Sequence, residues 1–149
     1  MKIAVGSDHG GFLLKKEVIH HLEEAGYEVM DFGTHSEASC DYPDIANAVA
    51  LKVVDKSYDF GILICGTGIG ISIAANKIPG VRAALCSDTF SAHACREHNN
   101  ANILALGQRV IGPGLALDIV DTFLKAEFQG GRHLSRVEKI HKIESEFTK

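Results

Sequence analysis

None of the four cysteines, Cys40, Cys65, Cys86 and Cys95, stands in a Cys-x-x-Cys pair, so neither a zinc site nor a disulfide framework is indicated. No apolar run approaches the length of a transmembrane span, and Met1-Lys2-Ile3 enters a strand rather than a signal peptide. The chain is therefore expected to be soluble and cytoplasmic. No long basic run appears, and the formal charge is −4 with the eight histidines neutral, which disfavours nucleic acid or an anionic membrane as a partner. Repeats, low-complexity segments and linkers are missing too. What remains is 149 residues, 46% of them hydrophobic, the size and composition of one compact domain with a real core.

Short apolar runs alternate with helical spacing along the whole length. Lys2 to Gly6 reads as a strand that reaches a turn at Ser7-Asp8-His9-Gly10-Gly11, and Leu14, Val18, Leu22 and Ala25 then recur at helical intervals. Tyr27 to Phe32 is a second strand, and Pro43 opens a helix to about Val54. Phe60 to Cys65, Val81 to Cys86 and Asn102 to Leu106 are three more strands. Ser87 or Asp88 can cap a helix towards Glu97, and another helix runs from about Leu115 to Phe128. Val137, Ile140, Ile143 and Phe147 stripe a terminal helix. The alternation predicts a doubly wound, Rossmann-like sheet of five parallel strands with helices on both faces. In such sheets ligands collect beyond the carboxyl ends of the strands, where the loops carry Asp8-His9, Cys65 with its glycines, Ser87-Asp88 and Gly107-Gln108-Arg109.

The centre of that edge is Cys65-Gly66-Thr67-Gly68-Ile69-Gly70, a buried strand's end, a glycine loop and a helix start. Alternating glycines leave amide donors free to face an anion, and the positive end of a helix favours a thiolate over a thiol. A buried structural cysteine beside a tight turn is the other reading. The spacing excludes several uses of such a loop. A dinucleotide fingerprint wants G-x-G-x-x-G after the first strand, a Walker loop ends in Lys and Ser or Thr, and a cysteine phosphatase carries Arg where Ile71 stands. Cys65 is therefore cast as a proton-transfer base, and phosphate capture falls to Arg109, Arg132 and Arg136. Arg132 and Arg136 share a helix face if the last helix starts before Arg132. If Ser135 caps it instead, Arg136 sits in the first turn. Either arginine can also be plain solvated surface. His98-Asn99 closes the helix before the fifth strand, where an imidazolium is favoured and suits a general acid. A capping histidine with Asn99 in a left-handed turn explains the same residues. His133 reads as a surface or helix-face residue, and Cys40, Cys86 and Cys95 as packing residues.

Gly6-Ser7-Asp8-His9-Gly10-Gly11, Asp41-Tyr42-Pro43, Cys65 to Gly70, Arg96-Glu97-His98-Asn99 and Gly130-Gly131-Arg132-His133 with Arg136-Val137 together resemble the ribose-5-phosphate isomerase B family. The likeness spans nearly the whole chain. It implies one sugar-phosphate isomerase domain over residues 1–149 that interconverts ribose 5-phosphate and ribulose 5-phosphate through an enediolate, with no metal or cofactor. Cys65 would be the base, and Gly66, Gly68 and Gly70 would lend amides to the enediolate. Asp8, Thr67 and His98 would assist ring opening. His9, Arg109, Arg132 and Arg136 would hold the phosphate, and Tyr42 and Asn99 would line the sugar. The related galactose-6-phosphate and allose-6-phosphate isomerases keep a six-carbon substrate open, and a non-catalytic sugar-phosphate sensor on the same fold is a further alternative.

Topology adds an expectation of its own. Asp8 and Cys65 lie past the carboxyl ends of their strands, whereas His98 and Asn99 precede a strand and sit at the amino edge. A strand of about five residues spans roughly 17 Å, too far for one small sugar to touch both ends. A two-fold homodimer, alone or as a dimer of dimers, would bring the two edges together twice, with the terminal helix packing on the partner.

Overall fold

The computed structural model describes residues 1–148. Five strands, β1 (Lys2–Ser7), β2 (Glu28–Asp31), β3 (Phe60–Cys65), β4 (Ala83–Leu85) and β5 (Ile103–Gly107), pair in parallel in the order β2-β1-β3-β5-β4. This is the doubly wound sheet that the alternation predicts. Because successive side chains point to opposite faces, each strand divides its apolar residues between two cores. Ile3, Val5, Ile62, Ile64, Leu104 and Leu106 pack with α1 (Phe12–Glu24), α4 (Thr89–Glu97) and α5 (Pro113–Lys125). Ala4, Leu63, Ile103 and Ala105 pack with α2 (Tyr42–Val54) and α3 (Ile69–Ala75). With both faces covered, the strands read as near-continuous apolar runs.

Some boundaries differ from the reading above, for local reasons. β4 keeps three residues rather than Val81 to Cys86, because as an edge strand it pairs with β5 alone, and the Arg82 N–H before it donates to Asn102 Oδ1 at 2.8 Å. α5 stops at Lys125, where Ala126 turns extended. The last helix, α6 (Arg132–Phe147), starts at Arg132 behind Gly131, whose φ is 57°. Ser135 does not cap it; its hydroxyl donates back to the Arg132 carbonyl at 3.0 Å. Arg132 and Arg136 thus stand four apart on one helix. Of α6 only His133 and Val137 are buried, while Ile140, Ile143 and Phe147 are exposed in the single chain. Among the described residues no helix is long and apolar enough to cross a membrane.

Strand order reverses between β1 and β3, because α1 carries the chain from β1 to one side and β3 starts the walk to the other. Such a switch point leaves a crevice at the carboxyl ends of the two strands. One polar tie braces its rim. Lys15 on α1 has no exposed side-chain surface, and its Nζ donates to Asp31 Oδ1 at 2.7 Å and to the Thr34 carbonyl. The same carboxylate oxygen accepts the Gly33 N–H at 2.8 Å. The ion pair is lopsided: the Asp31 side chain is 35% exposed, Lys15 not at all. Removing the carboxylate strands a buried cation, whereas removing the ammonium leaves an anion that water can reach. Asp31→Asn is therefore expected to cost about 3 kcal/mol. Lys15→Met, which refills the same volume, should cost clearly less. Urea denaturation of both variants checks the order, and a larger loss in Lys15→Met would show the pair to be something other than a buried cation with one counter-charge.

Candidate active site

Two loops meet at the switch point. Asp8 follows β1 and caps a one-turn 3₁₀ helix at His9–Gly11, its Oδ1 accepting the Gly10 N–H at 2.9 Å. The Asp8 N–H in turn donates to the Ile64 carbonyl at 3.2 Å, so the turn leans on the end of β3. Cys65 is the last residue of β3 and is 5% exposed. Its Sγ accepts the Gly68 N–H at 3.0 Å. That bond requires the chain to fold back sharply, and Gly68 does so with a φ of 78°, a left-handed conformation that side chains rarely adopt. The Gly68 amide is thus engaged with Cys65, whereas the amides of Gly66 and Thr67 donate to no protein acceptor among the described residues. Thr67 is exposed, and its Oγ1 accepts the Ile69 N–H at 3.2 Å.

The third wall is the loop after β5. Its Gln108 and Arg109 N–H groups donate to the carbonyls of Cys65 and Gly66 at 3.0 and 2.9 Å, which lays the Arg109 side chain along Gly66. His9 stands on the opposite side. The backbone N–H of Cys40 donates to His9 Nδ1 at 3.2 Å, so in the neutral ring the proton is on Nε2. Tyr42, the first residue of α2, lays its ring against Gly70 on the first turn of α3. Asp8, His9, Cys65, the glycine loop and Arg109 therefore gather at one edge, as the alternation of strands and helices predicts, and Tyr42 joins them there.

His98, Asn99, Arg132 and Arg136 gather elsewhere. His98 is the C-cap of α4, and Asn99 beside it is exposed. The left-handed residue of this turn is Asn100, with φ 50°, not Asn99. Both positions precede β5 and so lie at the amino edge of the sheet. α6 begins at the same edge, and there His133, far from being a surface residue, is 8% exposed and stacked on His98 with ring centroids 4.4 Å apart and planes 13° apart. Burial holds the His133 imidazole below its ordinary pKa, and the nearby His98, Arg132 and Arg136 push the same way. Neither this stack nor the buried Lys15 was legible as part of a site, since a lone histidine or lysine at helical spacing reads as solvated face.

A family model described as ribose/galactose isomerase matches residues 3–140 of the chain. Ribose-5-phosphate isomerase B of Escherichia coli (strain K12) is 56% identical over 143 residues, covering 96% of each chain. The solved ribose-5-phosphate isomerase B of Clostridium thermocellum is 61% identical with a TM-score of 0.99, covering 99% of this chain and 100% of that one. That of Mycoplasma genitalium, solved with bound ribulose-5-phosphate, is 47% identical with a TM-score of 0.94 over 97% of each.

The contact between Tyr42 and Gly70 is testable by itself. A Cβ at position 70 would lie 2.6 to 2.9 Å from Cζ, Cε1 and Oη of the ring, closer than atoms can approach. Tyr42 is 39% exposed and can swing outward, so Gly70→Ala should cost only about 1 kcal/mol, the low end for overpacking. The expected result is a shift of the Tyr42 ring resonances, with those of Tyr27 and Tyr58 unmoved. Unmoved Tyr42 signals would mean that the ring does not rest on the glycine loop.

Proposed function

This chain belongs to the ribose/galactose isomerase family, and from that premise we propose that it interconverts ribose 5-phosphate and ribulose 5-phosphate. The observation that carries the reading is the Cys65 sulfur at the end of β3, held by the Gly68 N–H, beside two unengaged loop amides and the capped carboxylate of Asp8. Aldose–ketose isomerisation needs a base beside a carbon acid and donors for the oxyanion that develops. Cys65 takes the proton from C2 of the open aldose, and the carbonyl oxygen becomes an enediolate oxygen facing the Gly66 and Thr67 amides. The thiol then returns the proton to C1 while the proton of the C2 hydroxyl passes to the C1 oxygen, leaving the ketose. His98 assists the preceding ring opening by protonating the ring oxygen, and Asp8 and Thr67 handle the anomeric hydroxyl. Arg109, Arg132, Arg136 and His9 hold the phosphate, which orients the sugar. Tyr42 and Asn99 line it.

The reading includes a homodimer whose two sites each draw on both subunits. Its support is the division of these residues between opposite edges of one parallel sheet. Exposed apolar residues around the glycine loop, Ile69, Leu85 and Val110, and along α6, Ile140, Ile143 and Phe147, are surfaces that such a partner would cover.

Purified protein should convert ribose 5-phosphate without added metal and faster than allose 6-phosphate or galactose 6-phosphate. Cys65→Ala should bind substrate yet lose roughly 10²–10⁴-fold in turnover. Near-normal turnover in that variant would remove the thiol from the chemistry, and a preference for a six-carbon sugar would move the substrate assignment. The shared site has a separate test, in which inactive Cys65→Ala and His98→Ala subunits are unfolded together, refolded and assayed. Activity is expected to return, because one site of each mixed dimer pairs a native Cys65 with the other chain's native His98. Persistent inactivity would place both residues in one subunit's site.

A further inference from the structure

We infer that His133 is a positioning residue for ring opening: its imidazole, stacked on His98, sets the plane and place from which His98 delivers its proton. The inference rests on the reading of His98 given above. His98 needs such a support. It caps α4 at the point where the chain leaves the helix, and Asn100 two residues on is left-handed, so the backbone there is a turn. Among the described residues the His98 ring makes no hydrogen bond to fix it. What it does have is a flat, buried partner 4.4 Å away and 13° from parallel.

The partner is itself firmly held. His133 is the second residue of α6, its N–H donates to the Gly130 carbonyl at 3.0 Å, and its side chain is one of only two that this helix buries. Stacking rings at this separation attract through dispersion and their quadrupoles, and they resist rotation out of plane. The pair also suits proton delivery. The first turn of α6 sets Arg132 next to His133 and Arg136 three residues on, so a second imidazolium in the stack would add to charge of one sign. A neutral His133 under a proton-bearing His98 gives a ring face to a cation, an attractive arrangement in its own right. Because Arg132 and Arg136 flank His133 on the same helix, one rigid element sets both the phosphate cations and the ring that aims His98.

Separating the steps of the reaction tests this. Ribulose 5-phosphate carries its phosphate on the hydroxyl that would close a five-membered ring, so it is acyclic. Exchange of its C1 hydrogen with solvent then needs the base but no ring opening. His133→Leu, which keeps bulk without a flat ring, is expected to lower turnover of ribose 5-phosphate by about tenfold to a hundredfold, as a misplaced group does. KM should change little, and exchange from ribulose 5-phosphate in deuterated water should stay near wild type. His133→Phe, which restores a ring to stack on, should recover most of the loss. His98→Ala serves as the reference and should show the same separation. If His98→Ala slows exchange and isomerisation equally, the reading of His98 falls and the inference with it. If His98→Ala separates the two and His133→Leu does not, the inference alone falls. Should His133→Leu not fold, the stack is read in the wild type and in His133→Phe from the ring-current shift of the His98 ring protons. Its absence in the folded wild type overturns the inference as well.

Discussion

Everything at the switch point depends on three backbones lying in contact where only glycine fits. A Cβ on Gly11 would stand 2.5 Å from the Ile64 carbonyl oxygen, and one on Gly107 would stand 2.5 Å from the Thr67 carbonyl oxygen. Both obstacles are main chain, which cannot swing aside as a side chain can. The loops after β1, β3 and β5 are therefore packed against one another directly and stitched by N–H to carbonyl bonds from Asp8, Gln108 and Arg109. The groups at the crevice inherit that rigidity. Cys65 Sγ and the Asp8 carboxylate are each held by an amide of their own loop, so a ligand meets groups whose orientation is already fixed.

A second layer of polar ties reaches the site from further away. The Lys15–Asp31 pair anchors the loop after β2, and that loop is bonded to β1 through Ser7 N–H to the Gly33 carbonyl at 2.7 Å and Thr34 N–H to the Ser7 carbonyl at 2.6 Å. Further along, the Cys40 N–H fixes the His9 ring nitrogen. The irregular segment between Asp31 and Cys40 is thus tied to Lys15 near one end and to His9 at the other. Gln108 adds a tie in the other direction, its side-chain carbonyl accepting the Leu14 N–H at 2.9 Å and joining the β5 loop to the start of α1.

The five-stranded parallel sheet and the residues of its carboxyl edge could be read from the chain because they rest on local signals. Phe60 to Cys65 is apolar on both faces, glycines follow at once, and the alternation of strand and helix leaves one topology class. The misreadings fall where a distant partner decides. β4 is cut to three residues by its place at the sheet edge, and no local pattern announces an edge. The left-handed residue is Asn100 and not Asn99, a one-residue shift that follows from Arg96, whose Nη1 reaches both Asn100 Oδ1 and the Ala101 carbonyl. His133 was invisible because its burial comes from His98, thirty-five residues earlier in the chain. Lys15 was invisible because an ammonium is rarely sealed in a core, and its carboxylate partner sits at the end of a different strand.

The amino edge poses a problem that the single chain does not solve. His98, His133, Arg132 and Arg136 come together there, and among the described residues none of them forms an ion pair with a carboxylate. Arg132 opens α6, where the helix dipole disfavours a cation, and no side chain caps that terminus. Folding stability alone gives no reason for Arg132, His133 and Arg136 to share the start of a helix with His98 stacked against it, since each neighbour raises the cost of charging the next. An anion answers all of these costs together, and a phosphate monoester, with its two charges, matches guanidinium forks better than a carboxylate does. The carboxyl edge has the complementary lack: a thiol, a carboxylate and, among the described residues, loop amides without a protein acceptor, with Arg109 laid along the glycine loop. On the proposed reading each edge holds the part of a sugar-phosphate site that the other is missing, and a parallel sheet keeps its two edges a strand's length apart. On the reading proposed above, a second chain sets one edge beside the other, and the otherwise unfavourable charge cluster becomes a consequence of function.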